Sequence, residues 1–214
     1  MAIELSTEPG INVARAIMTS LLQDHPYIIV GVGGGSCSGK GHCITRKKED
    51  LPADDFIMDW YYKDLAELVD LSTGQDHNDA NHDEPDALHI REIAEHLQAI
   101  RRGEEVLTPR YSFHTHKRTG TELYKISKGR ILIVDGLFAL DPRLTENYHL
   151  SIFIDAPTGM RLARRVDRDT RERGRTEKGV RKKWMATVEA MYTQHIEPTR
   201  QYADLVIKNN VYRP

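Results

Sequence analysis

The stretch 27-YIIVGVGGGSCSGKGH-42 decides the fold. Its first half is a short β-branched apolar run closed by glycines, as expected of a buried parallel strand over 27–34. Its second half, Gly34 to Lys40, fits G-x-x-x-x-G-K. A polar segment predicted to be a short helix follows at 40–50. Strand, glycine-rich turn and helix in that order form a phosphate-binding loop. Through Gly34, Gly35, Ser36, Cys37, Ser38 and Gly39 the backbone turns its N–H groups around phosphate oxygens, and the helix N-terminus adds its dipole. Lys40 supplies a mobile positive charge for the β- and γ-phosphates, and His42 adjoins it. The alternative is a glycine-rich turn with no ligand.

One position departs from the pattern. A Ser or Thr hydroxyl normally follows the lysine and binds Mg²⁺, but Gly41 stands there and has no side chain to offer. A second metal carboxylate is expected at Asp135, where the buried run 130-RILIVDGLFAL-140 leaves the sheet. A strand-end turn residue is the other reading of Asp135, since Asp-Gly is a common turn pair.

Outward from these two strands, apolar spacing predicts a helix over 9–22, and DFIMDW at 55–60 reads as a strand. Residues 72–87 read as a loop, with five acids and no Lys or Arg between Gln75 and Asp86. An amphipathic helix is predicted over 90–104, ended by basic residues and Gly103. Alternation around Thr119-Gly120 predicts a hairpin over 110–126. A strand at 150–157, a basic helix at 159–172, a helix at 180–202 that Pro198 kinks or ends, and a strand at 203–210 complete the pass. Strands alternating with helices predict an α/β domain over 1–214, a doubly wound, mostly parallel sheet with a small β-hairpin appendage.

Composition bounds the function. The 214 residues are 39% apolar and 29% charged, with a formal net charge of −2. Mean hydropathy is −0.54. No global polycation is present to hold nucleic acid. Two cysteines, Cys37 and Cys43, exclude a disulfide-dense scaffold. The apolar runs are far too short to span a bilayer, and no signal-peptide pattern is read, so a cytoplasmic protein is expected.

Several ordered motifs resemble the uridine kinase (uridine–cytidine kinase) family. They are GGGSCSGK at 33–40, MDWYYKDL at 58–65, NHDEPDAL at 81–88, RYSFHTHKR at 110–118, VDGLFAL at 134–140, RLARRVDRDTRERGR at 161–175 and PTRQYADLVI at 198–207. The resemblance runs from about Tyr27 to Asn210. It implies a P-loop kinase fold, with ATP as phosphate donor, Mg²⁺, and transfer to the 5′-hydroxyl of uridine or cytidine. It also implies assembly as a tetramer or dimer. Matched by position, Asp59 takes the role of the catalytic carboxylate at the acceptor hydroxyl, and Tyr62 is a wall of the sugar site. Asp83 grips the ribose hydroxyls, Tyr111 and His116 contact the base, and His116 hydrogen-bonds it.

Arg161, Arg164, Arg165 and Arg168 fall on one helix face. Residues 161–183 carry a local net charge of +7. A nucleic-acid footprint, a solvated face and a triphosphate-clamping lid over about 161–180 are the three readings. No nucleic-acid reading motif accompanies the patch, and arginine forks suit phosphate. The resemblance assigns Arg165 and Arg175 to the substrate or the transferred phosphoryl, and Arg168 and Arg173 to ATP. His82 replaces a family aromatic, and Lys183 stands where an ATP-side glutamine is common. Two rival functions stay open: a phosphoribulokinase-like kinase of another small acceptor, and a nucleotide-binding pseudokinase motivated by Gly41.

Overall fold

The structure is a computed structural model and describes residues 2–44, 52–75, 80–126 and 130–211. In chain order it contains β1 (Ile3–Ser6), α1 (Thr7–Asp24), β2 (Ile28–Gly33), α2 (Lys40–Ile44), β3 (Ala53–Ile57), α3 (Leu65–Leu68) and α4 (Ile90–Arg101). There follow β4 (Val106–Ser112), β5 (Lys117–Tyr124), β6 (Ile131–Asp135), α5 (Pro142–Thr145), β7 (Leu150–Asp155), α6 (Thr158–Glu172), α7 (Glu177–Lys183), α8 (Glu189–Met191) and β8 (Leu205–Lys208).

Six strands form one sheet in the order β1-β8-β7-β2-β6-β3, and every pairing in it is parallel. β2 is buried along its whole length, which explains its nearly unbroken apolar sequence. Alternate residues serve two cores. Ile28, Val30 and Val32 join Ile11, Ala14 and Met18 of α1 on one face. Ile29 joins the α4 residues Ile93 and Leu97, with Phe153 and Tyr148, on the other. Gly31 and Gly33 also lie within the strand: a Cβ at Gly31 would run into the Tyr148 ring, and one at Gly33 into Leu140. β2 leads to the far edge strand β3, β6 returns between them, and β7 and β8 lie on β2's other side. The turn after β2 therefore opens at the point where the winding reverses, where such sheets bind ligands.

Three expectations are corrected. The strand expected at 55–60 runs from Ala53 to Ile57, and the chain then tightens into a 3₁₀ turn, Met58–Tyr61, because Met58 is buried beneath Gly136. The hairpin spans Val106–Tyr124 and turns at 113–116 rather than at Thr119-Gly120. Gly120 lies inside β5 at φ +151°, where the register slips past Thr119. The helix expected at 180–202 begins at Glu177 and contains wide π turns at Trp184–Val188 and Tyr192–Ile196. Pro198 opens a final 3₁₀ segment, Glu197–Tyr202, at a position where proline's missing N–H costs nothing. β1, at the sheet edge beside β8, has no counterpart in the sequence reading. Of the helix expected at 40–50, residues 45–50 lie outside the described residues, as do 76–79 of the expected loop. No helix among the described residues is long and apolar enough to cross a membrane.

Two histidines give the fold a pH dependence. The Ile29 N–H donates to His149 Nδ1 at 3.0 Å, a bond that only the neutral ring accepts there. Burial, with His25 and Arg101 nearby, holds the His149 pKa below its ordinary value. Burial also lowers that of His96, whose Nδ1 lies 2.7 Å from the Tyr61 hydroxyl. The unfolded chain then takes up protons first as pH falls through about 6.5, so both residues reduce stability on acidification. Asp59 and Asp135, whose pKa values are raised, act in the opposite sense at lower pH. Thermal unfolding at pH 7.5 and 5.5 is expected to show a smaller acid-induced loss in His149→Gln than in the parent chain; equal losses would remove His149 from this account.

Candidate active site

The turn after β2 is held by its carbonyl oxygens. Lys40 folds back over it, and its Nζ donates to the oxygens of Gly34 at 2.9 Å and Gly35 at 3.3 Å. From α6, Arg164 Nη1 donates to the Cys37 and Ser38 oxygens at 3.2 and 3.0 Å. Asn209, just after β8, donates to the Ser38 oxygen at 2.7 Å. Gly34 has φ +139° and Gly39 φ +95°. A Cβ at Gly34 would strike the Ile154 carbonyl, and one at Gly39 the Asn209 amide, so the first and last glycines of the motif are required by space and by backbone conformation. Gly41 lies in the first turn of α2, and the side chain of His42 lies outside the described residues.

Two carboxylates flank Lys40. Asp59 lies in the 3₁₀ turn after β3, and Asp135 ends β6. Desolvation by the surrounding protein raises both pKa values, and the charge of Lys40 partly opposes it. The Asp135 charge raises that of Asp59 further, while Arg173 and Arg168 lower it. Asp59 is nevertheless open to solvent.

Beside Asp59 lies an aromatic cluster. Tyr62 is buried, and its hydroxyl donates to the His82 carbonyl at 3.3 Å. Its ring centroid is 5.3 Å from His82, 5.8 Å from Tyr111 and 6.3 Å from Phe113, and His82 lies 5.7 Å from His116. Burial raises the Tyr62 pKa well above its ordinary value, and the charges of Asp59 and Asp83 add to this. Tyr111 is only 8% exposed, its hydroxyl is buried without a hydrogen-bond partner among the described residues, and its pKa is pushed up to about 12 by burial. Asp83 is buried, with its N–H donating to Asn81 Oδ1 at 3.2 Å. His116 takes a left-handed φ of +51° at the hairpin tip, and its carbonyl accepts from the Leu65 N–H at 2.9 Å.

The arginine face divides into two groups. Arg161 is fully buried beneath the loop, 3.8 Å from the Tyr192 ring centroid and paired with Glu189 at 3.0 Å. Arg165 Nη1 donates to Ser36 Oγ at 2.6 Å. Arg165, Arg168, Arg173 and Arg175 all converge on Asp169, at 3.1, 2.7, 3.7 and 3.6 Å. Burial works against the charged form of Asp169, but the hydrogen bond from Arg168 and the charges of Arg168, Arg165 and Arg173 outweigh it and lower its pKa. Lys183 ends α7, where its carbonyl accepts from the Thr187 hydroxyl.

Lys40, Asp59, Asp135 and the arginines thus meet at the C-terminal end of β2 and β6, and Tyr62, Asp83, Tyr111 and His116 gather beside them. Asp169, Asn209 and the loop-bracing role of Arg164 went unread in the sequence. Asp169 left one signal, its spacing of four from Arg165 on a helix. Asn209 left none, because its contact joins residues far apart in the chain. A separate, mostly apolar concavity on the α1 face is lined by Ile11, Met18, Cys43 and Ile131, with Arg15 among its residues.

A parallel strand running into a glycine turn, with a lysine folded over it and arginines bracing it, defines a P-loop phosphotransferase. The chain belongs to the phosphoribulokinase/uridine kinase family, whose model matches residues 29–212. It is 36% identical over 193 residues to the uridine kinase of Vibrio cholerae, covering 86% of this chain and 88% of that protein. Its fold is similar to D-glycerate 3-kinase from Cryptococcus neoformans, with a TM-score of 0.62 at 12% identity over 88% of this chain and 89% of that one. It is also similar to phosphoribulokinase from Rhodobacter spheroides, with a TM-score of 0.57 at 14% identity over 83% of this chain and 68% of that one. The protein is therefore a P-loop kinase of a small-molecule acceptor.

Asp169 is sealed from water mainly by the arginines around it, so its loss should cost less than that of a deep-core ion pair but more than a surface one. Asp169→Asn is expected to lower the unfolding free energy by about 2 kcal/mol. Part of the loss should return at high salt, which screens the four arginines from one another. Urea denaturation at low and high salt measures both effects; an unchanged midpoint would show that the arginines need no counter-charge.

Proposed function

We propose that the protein transfers the γ-phosphoryl of ATP to the 5′-hydroxyl of a pyrimidine nucleoside, uridine or cytidine, giving the nucleoside monophosphate and ADP. One juxtaposition carries this reading: Asp59 interacts electrostatically with the phosphate-loop lysine Lys40 and also with Tyr62 of the aromatic cluster. A phosphoryl donor held at the loop and an acceptor held among the rings would meet at that carboxylate.

In this reading Asp59 accepts the proton of the attacking hydroxyl as the new O–P bond forms and the β–γ bridging bond breaks. A carboxylate pushed upward in pKa suits that task better than an ordinary one. Lys40 leaves the loop carbonyls for the transferring phosphoryl, and Arg165 follows the same charge from the lid side. Arg168 and Arg173 serve the donor phosphates, and Arg175 and Arg165 the acceptor side. Tyr62, Asp83, Tyr111 and His116 hold the sugar and base, with Asp83 facing the ribose hydroxyls. Lys183 is assigned to the ATP side by position in the family pattern alone.

The oxygen-donor chemistry around Lys40 fits Mg²⁺. Asp135 would hold it, with Asp59 adjacent and no hydroxyl from position 41. When bound, the ion neutralises charge on the donor phosphates. By the same family resemblance, the chain acts as a homo-oligomer, a tetramer or dimer.

The deciding measurement is ADP release with uridine, cytidine, ribulose 5-phosphate and no acceptor. Turnover on the sugar phosphate alone would move the acceptor class. ATP binding without turnover on any of these would make the protein a nucleotide-binding pseudokinase. Asp59→Asn is expected to lower kcat by about 10²–10⁴-fold with nucleoside KM nearly unchanged, and to abolish the acid limb of the pH–rate profile. That limb should lie above the ordinary carboxylate range, because the Asp59 pKa is raised. Lys40→Ala is expected to cost about 3 kcal/mol of transition-state stabilisation, read as kcat/KM. Gly41 has a helical backbone that accepts serine. Gly41→Ser should therefore lower the Mg²⁺ concentration needed for half-maximal turnover; an unchanged titration would show that position 41 does not bear on the metal.

A further inference from the structure

The turn that carries Asp59 is fixed at every other residue. Met58 is buried against Gly136. Tyr61 stacks on Phe56 with centroids 5.4 Å apart, and its hydroxyl meets His96. Trp60, on the outer side, lies under the guanidinium of Arg110, which sits 3.6 Å from its ring centroid. Arg110 belongs to β4 of the hairpin and is held there by Glu122 of β5, with Nε to Oε2 at 2.7 Å. Among the described residues no hydrogen bond holds the Asp59 carboxylate itself, so its aim is set by the turn's backbone.

The next residue of β4, Tyr111, packs against Tyr62. Consecutive strand residues ordinarily face opposite ways. Here the register slips between Arg110 and Tyr111, leaving Thr119 of β5 unmatched, and the added twist brings both side chains onto the segment 60–62. The hairpin therefore grips the residues on either side of Tyr61, Trp60 through a cation–π contact and Tyr62 through ring packing.

We propose that Arg110, stacked on Trp60 and held by Glu122, is a positioning residue that fixes the turn bearing Asp59 and so ties the hairpin's placement over the acceptor to the aim of that carboxylate. The inference rests on the reading of Asp59 as the group that meets the acceptor hydroxyl. Displacing a reacting group by a fraction of an ångström lowers the rate far more than it weakens binding.

A double-mutant cycle with uridine and ATP tests it. Arg110→Met keeps bulk over Trp60 but removes the charge, and should lower kcat about tenfold while uridine KM changes less than about threefold. Arg110→Lys, which keeps a cation, should restore kcat to within about threefold of the parent. In an Asp59→Asn background, Arg110→Met should have no further effect larger than about twofold, because the two act as a unit. A further tenfold loss in that background, or an unchanged kcat in Arg110→Met alone, would overturn the positioning role and leave Asp59 where it stands. An unchanged kcat in Asp59→Asn alone would instead sink the reading beneath it. If Arg110→Met lowers the melting temperature, Trp60→Leu, which removes the ring and leaves Arg110 with Glu122, replaces it in the same cycle with the same expected pattern.

Discussion

A phosphate cannot settle in a ring of carbonyl oxygens, and the turn after β2 is built around that constraint. The oxygens of Gly34, Gly35, Cys37 and Ser38 are each engaged by a cation or amide, from Lys40, Arg164 or Asn209. Covering those oxygens removes the partial negative charges that would repel an anion. The covering groups come from α2, α6 and the segment after β8, so three separated parts of the chain share one short turn. The glycines within β2 serve the same end: they let Tyr148 and Leu140 close on the central strand and support the turn from below.

Concentrated positive charge creates the opposite difficulty. Four arginines within reach of one another would spread apart without a shared counter-charge. Asp169 supplies it at the centre of the group, and the pKa directions agree: the carboxylate is lowered, while burial and the neighbouring charges of Arg168 and Arg165 also lower Arg173. Lys40 is held differently: among the described residues its hydrogen bonds go to neutral carbonyl oxygens, so a more strongly charged ligand can draw it away.

The sheet and the phosphate loop were legible in the sequence because their signals are local. A β-branched run, a glycine spacing and a following lysine occupy sixteen consecutive residues. Boundaries were less legible where tertiary contacts overrode local pattern. Met58 to Trp60 look like strand, yet the burial of Met58 turns them into a 3₁₀ segment. Thr119-Gly120 looks like a turn, yet the bulge beside Tyr111 uses that glycine and leaves the reversal to 113–116. The arginine face was visible, but its division was not, because the aromatic side chains that bury Arg161 lie on a later helical segment.

The pairing of β1 with β8 joins opposite ends of the sequence. Thr7 donates to the Lys208 carbonyl across 201 residues, and Arg200 and Lys208 both pair with Glu4. Asn209 and the Val211 carbonyl, which binds Arg164, lie just beyond the same strand and hold the phosphate loop and its arginine brace. The loop near position 35 is therefore synthesised early but held by residues made late. While the chain is still being made on the ribosome, the α1 and β2 segments emerge before the amide and arginine brace that shape the phosphate loop. Closing so long a span places this step late and makes it slow in folding. During that interval the unpaired edge of the sheet is open to wrong partners, an exposure shared by parallel sheets whose edge strands are distant in sequence.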